Sequence, residues 1–223
     1  MQTIAIVDPL TGQKLHDIEA HSATDVAMKF QAGREAQKAW NKLGPAGRSK
    51  IAHKLVDVLI ANQEELMDVL QKETGKSRMH AFEEVTGALA AISYYAKVTP
   101  KLLRRKKVRG GVPLLITAYT EPAPVGVVGI ITPWNYPLAL TMMDVIPALL
   151  AGNSVVQKAD NQTAKTVTMS RDLAVKAGVP ADVWQIVHGD PAEVGNAVTD
   201  NADYLAFTGS TATGRLVAQR AAS

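Results

Sequence analysis

The chain has 223 residues, 47% of them hydrophobic and 20% charged, which is enough apolar material for the core of one sizeable α/β domain and excludes a disordered chain. A net charge of +3 is too small a surplus to point to a nucleic-acid partner, whose binding needs a concentrated set of phosphate contacts. The absence of cysteine excludes disulfides, thiolate metal sites and thiol nucleophiles among these residues and fits a reducing compartment.

Thr3 to Val7 and Leu15 to Ile18 flank a segment containing Pro9 and Gly12, which predicts an opening hairpin. No basic start or apolar core of a signal peptide is present at the N-terminus, and the apolar stretch Val125 to Leu150 is interrupted by prolines, Asn135 and Asp144. A soluble, cytoplasmic protein without a membrane partner is expected. Helical patterns follow the hairpin. Thr24 is expected to cap a helix running to about Trp40, Pro45 to open a second to about Ala61, and Asn62 with Glu65 to form a capping box for a third that Gly75 ends. From Ser77 to Tyr95, the residues Phe82, Val85, Leu89, Ile92 and Tyr95 recur at spacings of three and four, predicting one buried helix face.

The basic run Lys101, Arg104, Arg105, Lys106, Lys107 and Arg109 has no interleaved aromatics and leads into Gly110-Gly111. It reads as a charged, solvated connector rather than a nucleic-acid surface. Leu114 to Thr120 reads as a strand. From Gly126 the pattern alternates: strand to Thr132, helix Leu138 to Leu150, strand Ser154 to Lys158, helix Thr163 to Ala177, strand Trp184 to His188, helix Glu193 to Val198, strand Tyr204 to Thr208. Such alternation means βαβ crossovers and a mainly parallel sheet. The fold class is α/β, an incomplete Rossmann-like parallel sheet with an N-terminal helical region (1–100), a protruding β-hairpin (101–124) and a dinucleotide-binding part (125–223).

Gly75-Lys76-Ser77 has the look of a phosphate-loop ending, but Leu70 stands where the first glycine belongs and a helix precedes it. The histidines, at 16, 21, 53, 80 and 188, show no metal-ligand spacing and are expected at surface or cap positions; no metal site is predicted.

Two segments carry chemistry. An apolar strand runs through Ile130 and Ile131 into Thr132-Pro133-Trp134-Asn135-Tyr136-Pro137, where two prolines stiffen a loop that can aim the Asn135 amide at a developing negative charge. Alone, Asn135 reads rather as a turn asparagine bonding its own backbone. Gly209-Ser210-Thr211-Ala212-Thr213-Gly214 follows the strand ending at Phe207 and opens a helical stretch from Arg215 to Ala222. It offers backbone N–H groups and hydroxyls to a pyrophosphate, or forms a plain tight turn with a Ser cap. Lys158 at a strand end is either a ribose or phosphate ligand or a solvated lysine. Gly189 and Gly195 either approach a ligand or serve helix packing.

Together these segments resemble the aldehyde dehydrogenase superfamily from about Thr3 to Ser223, most of all bacterial succinate-semialdehyde dehydrogenases. The resemblance implies NAD(P)-dependent oxidation of an aldehyde to its acid, with Asn135 as the amide that stabilises the oxyanion. It implies cofactor contacts from Ile131, Thr132, Pro133, Trp134, Lys158, Asp160, Asn161, Gly189, Gly195, Phe207, Gly209, Ser210, Thr211 and Gly214. Where many NAD users of the family read Lys-Pro-x-Glu, this chain reads Lys158-Ala159-Asp160-Asn161. A glutamate at that last position would repel a 2′-phosphate and Asn161 does not, so NADP is favoured over NAD, with Asp160 restoring some negative charge. The hairpin implies a homo-oligomer. The family's nucleophilic cysteine and base glutamate normally lie beyond Ser223, so the chain alone is expected to be inactive, with an open sheet edge and exposed apolar surface. The alternative is a non-catalytic nucleotide-binding or assembly module.

Overall fold

The computed structural model describes residues 2–112 and 115–223. Strands β1 (Thr3–Val7) and β2 (Lys14–Glu19) pair antiparallel around a turn in which the Asp8 carboxylate accepts from the Leu10 and Thr11 amides. Helices α1 (Ala23–Lys42), α2 (Gly44–Ala61), α3 (Gln63–Thr74) and α4 (Arg78–Leu102) follow. The cap of α1 is Ser22, not Thr24. Ser22 Oγ accepts from the Asp25 amide while Asp25 returns the bond to the Ser22 amide, a reciprocal capping box. The capping box expected at Asn62 is absent, because the Asn62 side chain instead donates back to the Val58 carbonyl at 2.6 Å.

Helix α4 runs seven residues past its predicted end, through Pro100. Its buried stripe is also rotated from the predicted one. Ala81, Val85, Ala88, Ile92 and Ala96 face inward, whereas Phe82 is 53% exposed. Spacing alone does not say which of two adjacent stripes is inner, and here close helix packing selects the one rich in alanine.

The short strands β3 (Lys106–Val108) and β4 (Ala118–Thr120) pair antiparallel. The basic run therefore contains a strand, though all three of its residues stay exposed. Strand β4 starts later than predicted, since the Ile116 amide donates to the Val112 carbonyl in a turn, and Leu114 lies outside the described residues.

Strands β5 (Val127–Ile131), β6 (Ser154–Lys158), β7 (Trp184–Val187) and β8 (Tyr204–Phe207) form one parallel sheet in the order β7-β6-β5-β8. Between and after them run α5 (Pro137–Leu150), α6 (Ala164–Ala177), α7 (Pro191–Asn201) and α8 (Thr211–Ala221). Every residue of β6 is buried, as a strand covered on both faces must be. One face packs Val155 and Trp184 against Leu55, Leu59, Ile92, Leu138 and Met142. The other packs Val127, Val156 and Val187 against Val26 and Phe30 of α1 and Val194 and Val198 of α7. Helices from the first hundred residues thus cover both faces of a sheet made by the last hundred. Among the described residues strand β8 pairs with β5 alone, and no residue of α8 is buried. No helix among the described residues is long and apolar enough to cross a membrane.

Candidate functional site

The chain enters the sheet at β5, moves outward through β6 to β7, then returns to the other side of β5 as β8. The crossovers therefore diverge between β5 and β8, and a crevice opens at the carboxyl ends of those strands. A cleft of about 490 Å³ occupies that position. Its walls include Ile131, Thr132 and Pro133 at the end of β5 and just beyond it, Lys158 at the end of β6 with Asp160 beyond it, Gly195 of α7, and Phe207 at the end of β8 with Gly209 and Ser210 beyond it. Two clefts of similar size lie elsewhere, one beside His16 and Lys165 and one beside His21 and Lys29, away from the switch point. Among the described residues no cluster of acidic, histidine or cysteine side chains could hold a metal ion.

Two helix N-termini border the cleft, and they differ in what they have left to offer. At α7, the Asp190 carboxylate already accepts from the Ala192 and Glu193 amides at 2.9 and 2.8 Å. At α8, Ser210 Oγ accepts from the Thr213 amide and the Ser210 carbonyl accepts from the Gly214 amide. The Thr211 and Ala212 amides have no acceptor among the described residues. An exposed helix start with two free N–H groups and a positive dipole end suits a phosphate.

The glycines of this turn act by size rather than by backbone conformation, since neither Gly209 nor Gly214 has a positive φ. A Cβ on Gly209 would sit 2.6 Å from Phe207 Cζ, and one on Gly214 would sit 3.2 Å from Phe207 Cε1. Both leave room for the Phe207 ring. The helix begins at Thr211, not Arg215, so Gly214 lies inside α8 and is not part of the cleft wall.

Lys158 is not the solvated lysine that a strand end suggests. It is buried, its ammonium donates to the Ala159 carbonyl at 3.1 Å, and burial lowers its pKa. Asp160 starts a 3-10 turn (Asn161–Thr163) by accepting from the Gln162 amide at 2.9 Å. Asn161 turns away from the cleft and pairs with the backbone of Gly189. The two candidate glycines beyond β7 divide. Gly189 has φ +143° and a Cβ there would meet Val194 and the His21 carbonyl, so backbone and packing both require it. Nothing lies within 4 Å of a Cβ on Gly195, so packing does not explain it, and its missing side chain leaves cleft space open.

Beneath the β5 end, Gln157 donates to Thr132 Oγ1 at 2.9 Å and to Thr141 Oγ1 at 2.7 Å and accepts from the Trp184 indole at 3.1 Å. This buried, satisfied network fixes where the next loop departs. Trp134, Asn135 and Tyr136 in that loop are exposed, and none of them lines the cleft; nor does Thr211. The Asn135 side chain has no hydrogen-bond partner among the described residues, which leaves its amide N–H groups available.

Pro191, Ala192, Asn196, Thr208, Thr213, Leu216 and Val217 also line the cleft and escaped sequence reasoning. Only Thr213 carried a signal, as a hydroxyl three residues after a Ser cap. The histidines needed correction too: His188 is buried, with its pKa lowered to about 3 chiefly by desolvation, and His16 lies 3.4 Å from the buried Glu73 carboxylate.

A profile described as the Aldehyde dehydrogenase family matches residues 1–223. A Mycolicibacterium smegmatis protein named "Putative succinate-semialdehyde dehydrogenase NADP(+)" is 43% identical over 219 residues, covering 98% of this chain and 42% of that protein. A Thermoplasma acidophilum D-glyceraldehyde dehydrogenase (NADP(+)) is 34% identical over 100% of this chain and 45% of its own length. The crystal structure of a NAD-dependent benzaldehyde dehydrogenase from Corynebacterium glutamicum superposes with a TM-score of 0.93 at 31% identity, over 100% of this chain and 49% of that one. The chain spans less than half the length of each of these proteins.

Proposed function

Because this chain belongs to the aldehyde dehydrogenase family, we propose that it supplies the dinucleotide-binding part and the oxyanion amide of an enzyme that oxidises an aldehyde to a carboxylic acid with NADP or NAD. The observation that carries this reading is the switch-point cleft, with Gly209 and Ser210, at the start of α8, on one wall and Lys158 on another. The residues fit the group. The α8 N-terminus with Ser210 would hold the pyrophosphate, Lys158 and Asp160 would reach a ribose, and Gly195 leaves space for the adenosine half. A bound nicotinamide supplies a hydride acceptor. Asn135 would donate its side-chain N–H to the oxygen on which negative charge develops during attack on the aldehyde.

NADP is the favoured form, because Asn161 presents no carboxylate to a 2′-phosphate and the named NADP(+) relatives support that choice. Succinate semialdehyde is the first aldehyde to test, on the strength of the same Mycolicibacterium relative. A polypeptide of these 223 residues holds no thiol and is inactive by itself. Assembly as a homo-oligomer through the β3–β4 hairpin completes the reading. Titration of the purified chain with NADP and NAD, followed by calorimetry, tests it. Saturable binding without aldehyde oxidation is expected; absence of binding for both nucleotides rejects the proposal.

A further inference from the structure

Pro137 opens α5 without an N–H of its own, and Tyr136, the residue before it, makes no side-chain cap. The next two amides, Leu138 and Ala139, are buried and need an acceptor. Both donate to one oxygen of Glu84, at 2.8 and 3.1 Å, across the interface between α4 and α5. The third amide, Leu140, closes on the Tyr136 carbonyl at 3.0 Å. A single carboxylate from another helix therefore completes the start of α5.

The second oxygen of Glu84 accepts from Lys76, whose ammonium stands 4.2 Å from the centroid of the Tyr136 ring. Glu84 is buried and Lys76 nearly so, so this ion pair is little screened. Lys76 reaches this point because Gly75, at φ +72°, ends α3 in a left-handed cap and Ser77 at once caps α4. The Gly75-Lys76-Ser77 segment thus has a task unrelated to phosphate.

We propose that Glu84 and Lys76 are positioning residues for Asn135. Glu84 fixes the C-terminal end of the Trp134–Asn135–Tyr136 loop by capping α5. It also orients Lys76, and Lys76 holds the Tyr136 ring by a cation–π contact, so the residue next to Asn135 is clamped from both sides. The catalytic consequence rests on the reading of Asn135 as oxyanion donor; the clamp itself does not.

Backbone 15N relaxation of the 223-residue chain tests the clamp. In the wild type Asn135 and Tyr136 are expected at order parameters near about 0.85, the value for rigid backbone, and in Glu84→Ala below about 0.6, with Gly209 to Thr213 unchanged. Glu84→Gln keeps an acceptor for the α5 amides but not an ionic partner for Lys76. It is expected to restore order at Leu138 and Ala139 but not at Tyr136, a split that general loosening of the fold would not give. If Glu84→Ala does not fold, Lys76→Met decides, with loss of order at Asn135 and Tyr136 supporting the clamp. Unchanged order at Asn135 in folded Glu84→Ala, or in Lys76→Met where that variant decides, overturns it. NADP titration of the wild-type sample reports on the proposed function separately, so the two can fail independently.

Discussion

Asn161 and Gly189 exchange two hydrogen bonds across the ends of β6 and β7: Asn161 Nδ2 donates to the Gly189 carbonyl at 2.9 Å, and the Gly189 amide donates to Asn161 Oδ1 at 3.1 Å. The side chain proposed to set cofactor choice is therefore held by the backbone of the neighbouring strand end. Asn161→Glu loses the donor toward Gly189, which releases the side chain from its turned-away position and lets its carboxylate swing back toward the ribose site. We expect the ratio of NADP to NAD affinity to fall about tenfold or more, since like-charge juxtaposition costs several kcal/mol. Parallel calorimetric titrations measure the ratio, and an unchanged value would count against Asn161 as its determinant.

Gly209→Ala tests the fit between the turn and Phe207. The added methyl would meet Phe207 Cζ at 2.6 Å, so the ring must swing from its place in the cleft wall. Overpacking of this kind costs about 1–3 kcal/mol. Expected results are a retained fold by circular dichroism and nucleotide affinity weakened by about tenfold. Full affinity would show that the ring position does not shape the site.

Glu73, at the end of α3, is buried and accepts from the Lys165 amide at 2.9 Å, the Thr166 amide at 2.8 Å and the Thr166 hydroxyl at 2.7 Å. It ties α3 to the start of α6. Glu73→Ala leaves three donors without their acceptor at about 1–3 kcal/mol each, so urea unfolding should show a loss of about 3 kcal/mol or more. A loss below about 1 kcal/mol would mean that water replaces the carboxylate.

Acid should destabilise the chain through His188. Its folded pKa lies at about 3, against 6.5 as the ordinary value, chiefly from burial, with His21, Lys158 and Lys29 adding to the shift. Between those values the unfolded chain binds a proton that the folded chain refuses. The contribution of His188 is therefore full above about pH 6.5 and falls away as pH drops toward 3, by up to roughly 5 kcal/mol. Burial also lowers the pKa of His21, and this acts in the same direction. Glu73, raised by burial, acts oppositely: its stabilisation is present at low pH and is lost as pH rises through its folded pKa. Urea midpoints from pH 7 to 4 for the wild type and His188→Gln separate these effects. The variant should show the shallower acid slope, and equal slopes would remove His188 as the cause.

The parallel αβ alternation, the strand Ser154 to Lys158 residue by residue and both segments that flank the cleft are legible in the chain before it folds. These features are local: β-branched runs, proline-fixed φ angles and glycine turns act within a few residues of chain. Tertiary structure alone decided which face of α4 turned inward, that Asn161 faces Gly189, and that Lys158 is buried. It also decided that Glu84, some fifty residues away, caps α5. Each of those outcomes depends on a partner that folding brings close, and a buried amide or charge takes whichever acceptor the packing supplies, wherever it lies in the chain.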